Sequence, residues 1–518
     1  MLQNPAVKPP TASVPDVSPE RSRFSNYYVV FLFGVLAVFA WISWTTAWDT
    51  GLYGDNVEQF VWSHSMELGY YKHPPLPTWL MGLAISVVGS HWWLTNALAA
   101  GCVAATGIFT WLVARRLCGE RTANIAIVLW SLQQCFSVSA EIYNHNTVLV
   151  LCLSALTYTV LRALSTTSDT RWWLASGVLA ASAMLAKYQA ALPLVALVVA
   201  IFMTAGTRRT YLLGRLALVL LVFLICFGPH LYWGISNRFP SLRYASEVLE
   251  SGGMARRASW VLTFAVNQAR MVLPLLLAVM LAALMVRFSR SKQAPASART
   301  AQPSYTATRW SDRDISIWIW CLVWGPVAAL IMVSVLSGSA LRNHWGVQLF
   351  QFLAIWMAWR WRHSTFLNLR TLVVAAMLVH AAGFVYYAVK QSDANAVLAD
   401  RRADSSYPGQ RMSDAAIAHW KRFSHCPLRI VAGDFEAGLV SAYAKESPTV
   451  FTAPIATPWV KESDIARDGA LYVFDSNTAL PATVAQPIRW SLRPNAQLGE
   501  KYVQFAVRLP ASPCAPAI

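Results

Sequence analysis

The sequence predicts an α-helical polytopic membrane protein with about eleven spans, interfacial helices and a small C-terminal α/β domain. Of its 518 residues, 56% are hydrophobic and only 13% are charged, and the chain contains 24 Trp. Long apolar runs recur between residues 27 and 390, and their lengths fit the thickness of a bilayer. From residue 391 onward the apolar runs are short and the charges balance, which is typical of a separate soluble domain.

The N-terminal segment predicts a tail followed by a first span. Residues 1–26 are rich in Pro and Ser, which predicts a disordered cytoplasmic tail. The apolar run at 27–47 is longer than a signal-peptide core, and no clear small-residue cleavage site follows it. We therefore expect a first span that is retained.

Apolar windows locate the other spans, with a length of about twenty residues as the guide. The predicted spans are 27–47, 93–114, 122–141, 147–161, 172–186, 190–206, 211–229, 265–286, 314–335, 343–359 and 367–389. The apolar segment at 76–89 is too short for a span, and it begins with a Pro-Pro pair that suits a helix N-terminus. It predicts a re-entrant or interfacial helix.

Lys and Arg residues set the predicted orientation. With the N-terminus inside, the inner loops carry 17 Lys/Arg and the outer loops carry 7. This bias follows the positive-inside rule and places the first loop and the C-terminal domain outside. Residues 391–518 hold only +1 of the net charge of +17, and no basic stripe with interleaved aromatics occurs there. We therefore expect membrane lipids, and not nucleic acid, as partners.

Residues 391–518 predict an outer α/β domain. Short apolar runs at 428–432 and 470–474 predict strands, and 436–445 predicts a helix between them. The sequence "GDFEAG" at 433–438 is a strand-to-helix turn and only a weak match to a phosphate loop. Cys426 and Cys514 bracket the domain and can form one disulfide in an oxidising compartment, whereas the other six cysteines show no metal-ligand spacing.

Polar residues recur at the outer ends of separate spans, where ionisable groups are costly and each is a functional candidate. Six clusters share this position: Asp55 and Glu58; Lys72 and His73; Glu141, Tyr143, Asn144, His145 and Asn146; Lys187, Tyr188 and Gln189; His230, Tyr232, Trp233, Arg238, Arg243 and Tyr244; and Arg342, Asn343, His344 and Trp345. The inner turns carry little besides Arg. The outer surface is therefore the predicted functional side.

Each cluster also has a purely structural interpretation. Asp55 follows Gly54 in a sequence that suits a turn or a helix cap, and Lys72 can anchor the chain at the membrane interface. Glu141 can simply end a span. The structural interpretation is weakest for Lys187, a lone cation between two apolar spans on the side that the charge rule disfavours.

An acid, several cations and amides at an outer membrane surface suit one chemistry in particular. When a sugar leaves a lipid-linked phosphate, negative charge grows on the phosphate, and Lys or Arg can stabilise it. An acceptor hydroxyl or amine needs a base, and one carboxylate can serve. The constellation therefore suits glycosyl transfer from a polyprenyl-phosphate sugar.

Six segments resemble the GT-C membrane glycosyltransferases, and more narrowly the bacterial branch of the dolichyl-phosphate-mannose protein mannosyltransferase family. That branch includes the aminoarabinose transferase of lipid A and the rhizobial galacturonosyltransferases of lipopolysaccharide. The segments follow the family order: "YGDNVEQ" (53–59), "YYKHPPLPTWL" (70–80), "YNHNTVL" (143–149), "MLAKYQA" (184–190), "PHLYWGISNRFPSLRY" (229–244) and "NHWGVQ" (343–348). The C-terminal domain carries no matching motif.

The resemblance implies a GT-C catalytic domain at 27–390, a polyprenyl-phosphate sugar donor and a lipid, glycan or protein acceptor. It also implies inverting transfer at the periplasmic face of the bacterial inner membrane. Asp55 is the implied base, Lys72 and His73 lie at the donor phosphate, and Lys187 and Arg243 are supporting cations. The supporting polar residues are Glu58, Tyr143, Asn144, Asn146, Tyr188, His230 and His344.

Three positions depart from the family pattern. Relatives often carry acids where this chain has Asn56, Lys72 and Asn146. Asp55, Glu58 and His73 remain as a set that can ligate a divalent metal. We nevertheless predict a site with no metal and no other cofactor, in which Lys72 supplies the positive charge.

Two other classes of function compete with transfer. A transporter or flippase of lipid-linked sugars also needs cations at a headgroup, but transporters usually have paired halves and polar groups near mid-membrane. A structural or sensor protein would place its function in the outer domain. The one-sided polar clusters and the absence of an evident sequence repeat favour the transferase.

Overall fold

The computed structural model describes residues 27–165, 169–204, 209–248, 253–291, 310–342, 345–364, 368–392, 407–475, 481, 483–492 and 502–512. The predicted N-terminal tail, His344 and Cys514 lie outside these residues. The division of the chain at 26/27 and 390/391 stays a prediction.

Helices make up most of the described chain. In chain order they are α1 (Tyr27–Trp48), α2 (Gly54–Trp62), α3 (Leu76–Val88), α4 (Leu94–Cys118), α5 (Glu120–Ser131), α6 (His145–Ser165), α7 (Thr170–Ala186), α8 (Ala191–Thr204), α9 (Arg209–Ser236), α10 (Pro240–Val248), α11 (Met254–Ser291), α12 (Asp312–Ser337), α13 (Gly346–Phe350), α14 (Leu353–Arg360), α15 (Leu369–Ser392), α16 (Gly409–Phe423), α17 (Phe435–Tyr443) and α18 (Glu462–Asp468). The polytopic helical fold predicted from the apolar runs is confirmed.

Within the described ranges, 7 helices are long and apolar enough to cross a membrane: α1, α4, α6, α9, α11, α12 and α15. Each coincides with a predicted span. The other predicted spans are shorter helices. The one predicted at 122–141 already ends at Ser131, because Gln133, Gln134 and Ser137 follow in a polar turn. The one predicted at 343–359 is divided between α13 and α14.

Close helix packing forms the core of the membrane region. Gly107 on α4 lies against α1 and α5, where a Cβ atom would come within 2.8 Å of the Trp130 ring and 2.9 Å of the Gly34 carbonyl oxygen. Trp130 is completely buried. Small residues allow such close approach between membrane helices, which gain stability from van der Waals contact.

Two short helices, α2 and α3, lie outside the long apolar helices. Helix α3 starts directly after Pro75 and has Pro77 in its first turn, where proline is tolerated because the N–H groups there need no intrahelical partner. It ends at Gly89, whose φ of 91° favours glycine. Leu83 and Val87 are exposed. The predicted short helix at 76–89 is thus confirmed, and its re-entrant or interfacial placement stays a prediction.

The C-terminal region forms a mixed sheet covered by helices. Its strands are β1 (Ile430–Gly433), β2 (Thr449–Phe451), β3 (Ala470–Asp475), β4 (Ala485–Ser491) and β5 (Tyr502–Arg508), in the spatial order β2-β1-β3-β5-β4. β1 pairs in parallel with β2 and β3, and β5 pairs antiparallel with β3 and β4. The two predicted strands and the predicted helix between them are confirmed as β1, β3 and α17.

The "GDFEAG" turn connects β1 to α17 and has a packing role. Gly433 has a φ of 148°, and any side chain there would collide with the Val473 carbonyl oxygen on β3. Gly438, one turn into α17, lies directly against Val57 and Val61 of α2. The turn therefore brings the C-terminal domain into contact with a helix of the membrane region.

Polar contacts extend this interface between the two domains. The Gly409 N–H donates to the Thr50 carbonyl oxygen at 3.1 Å, and Ser90 Oγ donates to Ser447 Oγ at 2.9 Å. Cys426 is disulfide-bonded, and its predicted partner Cys514 lies outside the described residues. The remaining six cysteines are free.

We predict that Gly438→Ala loosens the C-terminal domain from α2. The new methyl group would collide with Val57, which is itself buried, so overpacking should cost about 1–3 kcal/mol. Thermal unfolding and limited proteolysis of the purified chain in detergent measure this loss.

Gly101→Ala is the matched control. A Cβ at Gly101 meets nothing within 4 Å, and the alanine should stabilise α4 by about 0.5–1 kcal/mol. Equal unfolding midpoints for the two variants would contradict the proposed contact.

Candidate functional site

Helix α2 carries two carboxylates of the predicted site. Asp55 lies in its first turn, where the helix dipole favours a negative charge, and Glu58 follows one turn later. Residues three apart lie on the same face of a helix, as the spacing predicts. Asp55 is exposed and Glu58 is partly buried.

Asn56 fixes α2 against the membrane helices. Its side-chain amide donates to Thr95 Oγ1 at 3.2 Å and to the Glu141 carbonyl oxygen at 3.1 Å. Its Oδ1 atom accepts from the Tyr143 N–H at 2.9 Å. A carboxylate at this position would have no N–H to donate. Asn56 therefore has a structural role that the acid of the relatives cannot duplicate.

Asn144 holds Asp55 and caps α6 at the same time. Its Nδ2 donates to Asp55 Oδ2 at 2.7 Å. Its Oδ1 accepts from the backbone N–H groups of Asn146 at 2.8 Å and Thr147 at 3.1 Å. This pairing of an asparagine side chain with the first N–H groups of a helix is a helix cap. The position of Asp55 is thus tied to the start of a long apolar helix.

Lys187 reaches the same site from the end of α7. Its ammonium donates to Asn146 Oδ1 at 2.8 Å and its side chain is almost fully buried. Burial lowers the pKa of Lys187 to about 8, and the nearby Asp55 carboxylate opposes this shift. An ammonium has three donors, so Lys187 has capacity for an anionic ligand.

Lys72 forms an ion pair with Glu58, with Nζ and Oε1 2.6 Å apart. Burial raises the pKa of Glu58 to about 7, although the attraction of Lys72 opposes the shift. Burial lowers the pKa of Lys72, but Glu58 outweighs it and the net change is upward. The rings of Tyr71 and Tyr244 lie 5.4 Å and 5.7 Å from the ammonium, within cation–π range.

His73 and His145 are in contact, and His145 lies close enough to Lys72 and Lys187 for both charges to act on it. Their ring centroids are 3.8 Å apart, and the Trp62 ring lies 6.2 Å from His73 and 5.9 Å from His145. His145 is the first residue of α6, directly after the cap Asn144. His145 was noted in the sequence only as part of a polar turn, and its contact with His73 comes from the fold.

The remaining predicted supporting residues hold the surrounding elements together. Tyr143 is completely buried, and its hydroxyl donates to the Pro77 carbonyl oxygen at 2.8 Å. The Tyr188 hydroxyl lies 2.8 Å from His230 Nε2, and His230 Nδ1 lies 2.6 Å from the Leu68 carbonyl oxygen. These contacts join α3 to the loop before α6, and α9 to the loop that precedes Lys72.

Arg243 lies on α10, at a cavity of ≈ 500 Å³. Tyr70, Tyr71 and Trp233 form part of the wall, and Trp459 of the C-terminal domain completes it. The rings of Tyr70 and Trp459 meet edge to face with centroids 6.1 Å apart. Arg243 is therefore near Lys72 in space, through the Tyr71 ring, although 171 residues separate the two in sequence.

The residues at this site do not fit a divalent metal held by Asp55, Glu58 and His73. Glu58 is engaged by the Lys72 ammonium, and Asp55 is held by the Asn144 amide. In the part of the chain that the structure describes, no three His, Cys, Asp or Glu side chains form a group able to hold a metal ion.

Sequence reasoning missed two features of this region. Asp49, directly after α1, lies beside Glu141, and the two acids interact. The sequence does contain a signal for Asp49, because an acid at the boundary of a span is energetically costly and is therefore a functional candidate. The contacts that Gly438 and Trp459 of the C-terminal domain make with the membrane region could not be predicted from the sequence, because no local pattern indicates which surface a separate domain will contact.

A family model and solved structures match this chain. The model described as dolichyl-phosphate-mannose-protein mannosyltransferase matches residues 72–233. A search of the curated proteins by sequence finds no match. ArnT from Cupriavidus metallidurans bound to undecaprenyl phosphate has a similar fold, with a TM-score of 0.59 at 14% identity over 96% of this chain and 100% of that chain.

The apo state of the same ArnT gives a TM-score of 0.53 at 16% identity, over 95% of this chain and 100% of that chain. The similarity thus includes the C-terminal domain as well as the membrane helices. The protein is a multi-pass membrane protein with a fold similar to that of ArnT, and residues 72–233 match the family model of the dolichyl-phosphate-mannose-protein mannosyltransferases, as the sequence motifs predict.

Proposed function

We propose that the protein transfers a sugar from a polyprenyl-phosphate donor to a cell-envelope acceptor. The observation that carries the proposal is a linked set of contacts: Lys187 binds Asn146, Asn144 binds Asp55, and Lys72 pairs with Glu58 on the same helix as Asp55. Segments far apart in sequence thus combine an exposed carboxylate with two ammonium groups. That combination supplies a base for an acceptor and cations for a phosphate.

The chemistry assigns one task to each group. The acceptor oxygen or nitrogen attacks the anomeric carbon of the donor sugar, and Asp55 takes the proton that the acceptor loses. The bond between the anomeric carbon and the phosphate oxygen breaks, and its electrons stay on that oxygen. Lys72 and Lys187 stabilise this negative charge, with His73 and Arg243 as further donors. Attack opposite the leaving phosphate inverts the anomeric carbon.

The donor assignment is supported by the fold similarity. ArnT of Cupriavidus metallidurans has been crystallised with undecaprenyl phosphate, and this chain has the same fold along almost its whole length. The positive-inside bias supports a site on the periplasmic face of the bacterial inner membrane. The acceptor class we propose is lipid A or lipopolysaccharide, another glycan, or protein.

We predict that Asp55→Asn abolishes transfer and leaves the fold intact. Asparagine keeps the size of the side chain but cannot accept the acceptor proton, so the rate should fall roughly a hundred-fold or more. A deletion strain complemented with the wild type or the variant provides the test, with mass spectrometry of envelope glycolipids and glycoproteins identifying the sugar that is missing.

Asp312→Asn, at the far end of α12 in an exposed ion pair with Arg362, is the matched control and should restore the sugar fully. Wild-type sugar levels with Asp55→Asn would refute the role of Asp55 as base. If the deletion strain instead accumulates lipid-linked sugar on the cytoplasmic side, the protein is a flippase and the transferase proposal is wrong.

Lys72→Ala and Glu58→Gln should change donor binding in opposite directions. Removal of the Lys72 charge should weaken binding of undecaprenyl phosphate about ten-fold or more. Glu58→Gln removes the carboxylate that competes for Lys72, so binding should become several-fold tighter. Native mass spectrometry of the purified protein with undecaprenyl phosphate measures both. A loss of affinity in Glu58→Gln equal to that in Lys72→Ala would contradict this arrangement.

The affinity for undecaprenyl phosphate should fall as the pH rises through about 8. Burial lowers the pKa of Lys187 to about 8, so its charge is full well below that pH and is lost above it. Lys187→Arg remains charged throughout, so its affinity should change much less. Glu58, with a pKa of about 7, titrates in both proteins, and the comparison therefore isolates Lys187. Identical pH profiles would contradict the role of Lys187.

A further inference from the structure

A second cavity, of ≈ 420 Å³, lies beside α2 and is lined by residues of both domains. We name it the Trp92 cavity, after an aromatic residue in its wall. Tyr53 and Asn56, which flank Asp55 in the chain, line it from the membrane region, and Gln410, Arg411 and Tyr443 line it from the C-terminal domain. Its volume falls within the range of about 300–1,000 Å³ that is usual for small-ligand sites.

Two carboxyl groups, from the partly buried Asp49 and the buried Glu141, line this cavity. Asp49 Oδ1 accepts from the Tyr387 hydroxyl at 2.7 Å and from Gln391 Nε2 at 2.6 Å. Asp49 Oδ2 and Glu141 Oε1 are buried and accept from no N–H or O–H group of the described residues. Glu141 is 3% exposed. Both residues line the cavity, and each has one carboxyl oxygen with unused hydrogen-bonding capacity.

Burial raises the pKa of both Asp49 and Glu141, each more than the surrounding hydrogen bonds lower it. The pair therefore retains a proton near neutral pH, and it offers both a hydrogen-bond donor and acceptors. Hydroxyl groups, which donate and accept at once, match this combination. A divalent cation matches it less well, because it binds deprotonated carboxylates.

Aromatic rings from both domains also line the cavity. Trp92 and Tyr443 stack with ring centroids 5.9 Å apart and an interplanar angle of 24°. Gln410 and Arg411 are exposed at the start of α16, and Asn96 adds a further amide to the lining. This lining suits a sugar ring, which has apolar C–H faces and polar edges. The flat aromatic rings match the faces, and the amides, the guanidinium and the carboxyl groups match the polar edges.

We propose that the Trp92 cavity binds a saccharide unit of the acceptor. This inference rests on the proposed glycosyltransferase function, and it narrows the acceptor from any envelope molecule to one that contains a sugar. The saccharide contacts the Asp49–Glu141 pair through its hydroxyl groups and Trp92 through a ring face. The adjacent Asp55 side of α2 then receives the group that accepts the donor sugar.

Saturation-transfer difference NMR tests the site with the purified full-length protein in detergent. The probe is the oligosaccharide pool released by mild acid from the envelope of the bacterium that encodes the protein. We expect saturation transfer to saccharide protons with the wild type, and a strong reduction with Trp92→Ala and with the isosteric Glu141→Gln. Arg411→Ala should also reduce the saturation transfer. Because Arg411 is exposed, this substitution should leave the core folded.

Kinetics distinguish this inference from the proposed function. Trp92→Ala and Arg411→Ala should raise the acceptor KM about ten-fold with kcat nearly unchanged, whereas Asp55→Asn should lose transfer but keep saturation transfer. No saturation transfer with the wild type, or equal signals in all variants, would overturn the saccharide site. Calorimetry with Ca²⁺ alone gives a further test. The saccharide site would also be overturned if the wild type binds Ca²⁺, Glu141→Gln abolishes this binding, and no saccharide signal is seen. The proposed function has separate tests, the Asp55→Asn variant and the sugar profile of the deletion strain, and neither depends on the saccharide signal.

Discussion

Asn56 is the residue on which the geometry of the site depends. A helix of nine residues such as α2 is not stable alone, so its position must come from tertiary contacts. Asn56 binds α4 through Thr95 and the loop before α6 through Glu141 and Tyr143. On another face, Val57 and Val61 pack against Gly438. The helix is thus fixed from the membrane side by hydrogen bonds and from the outer side by apolar contact.

Neutral amides, and not opposite charges, hold two of the charged groups. Asp55 is oriented by the Asn144 amide and Lys187 by the Asn146 amide, so neither charge is neutralised by its hydrogen-bond partner. If position 146 carried an acid, as relatives often do, that acid would neutralise Lys187. Together with Lys72 in place of another acid, Asn146 makes this site more cationic. The protein side chains can therefore supply the positive charge that a departing phosphate needs.

The sequence predicts much of the fold, because apolar length and charge bias are local properties. The long helices, the short helix after Pro75 and the strands β1 and β3 all follow from such patterns. The divided helix at 343–359 does not, since a buried helix pair and one span have the same apolar composition. Lys187 was recognisable as an isolated cation, but its contact with Asn146 required the turn of α7 against α6.

The C-terminal domain is the part of the protein whose role sequence motifs did not indicate, and its contacts argue that it belongs to the site. Gly438 packs on α2, Trp459 closes the cavity at Arg243, and Tyr443 stacks on Trp92 in the other cavity. The first contact is on α2 itself, and the other two complete the walls of the two cavities that membrane-region residues line. A domain attached only as an accessory would not need to contribute a wall to both cavities. Its sheet therefore supports these residues, and separation of the domain from the membrane region would open both cavities together.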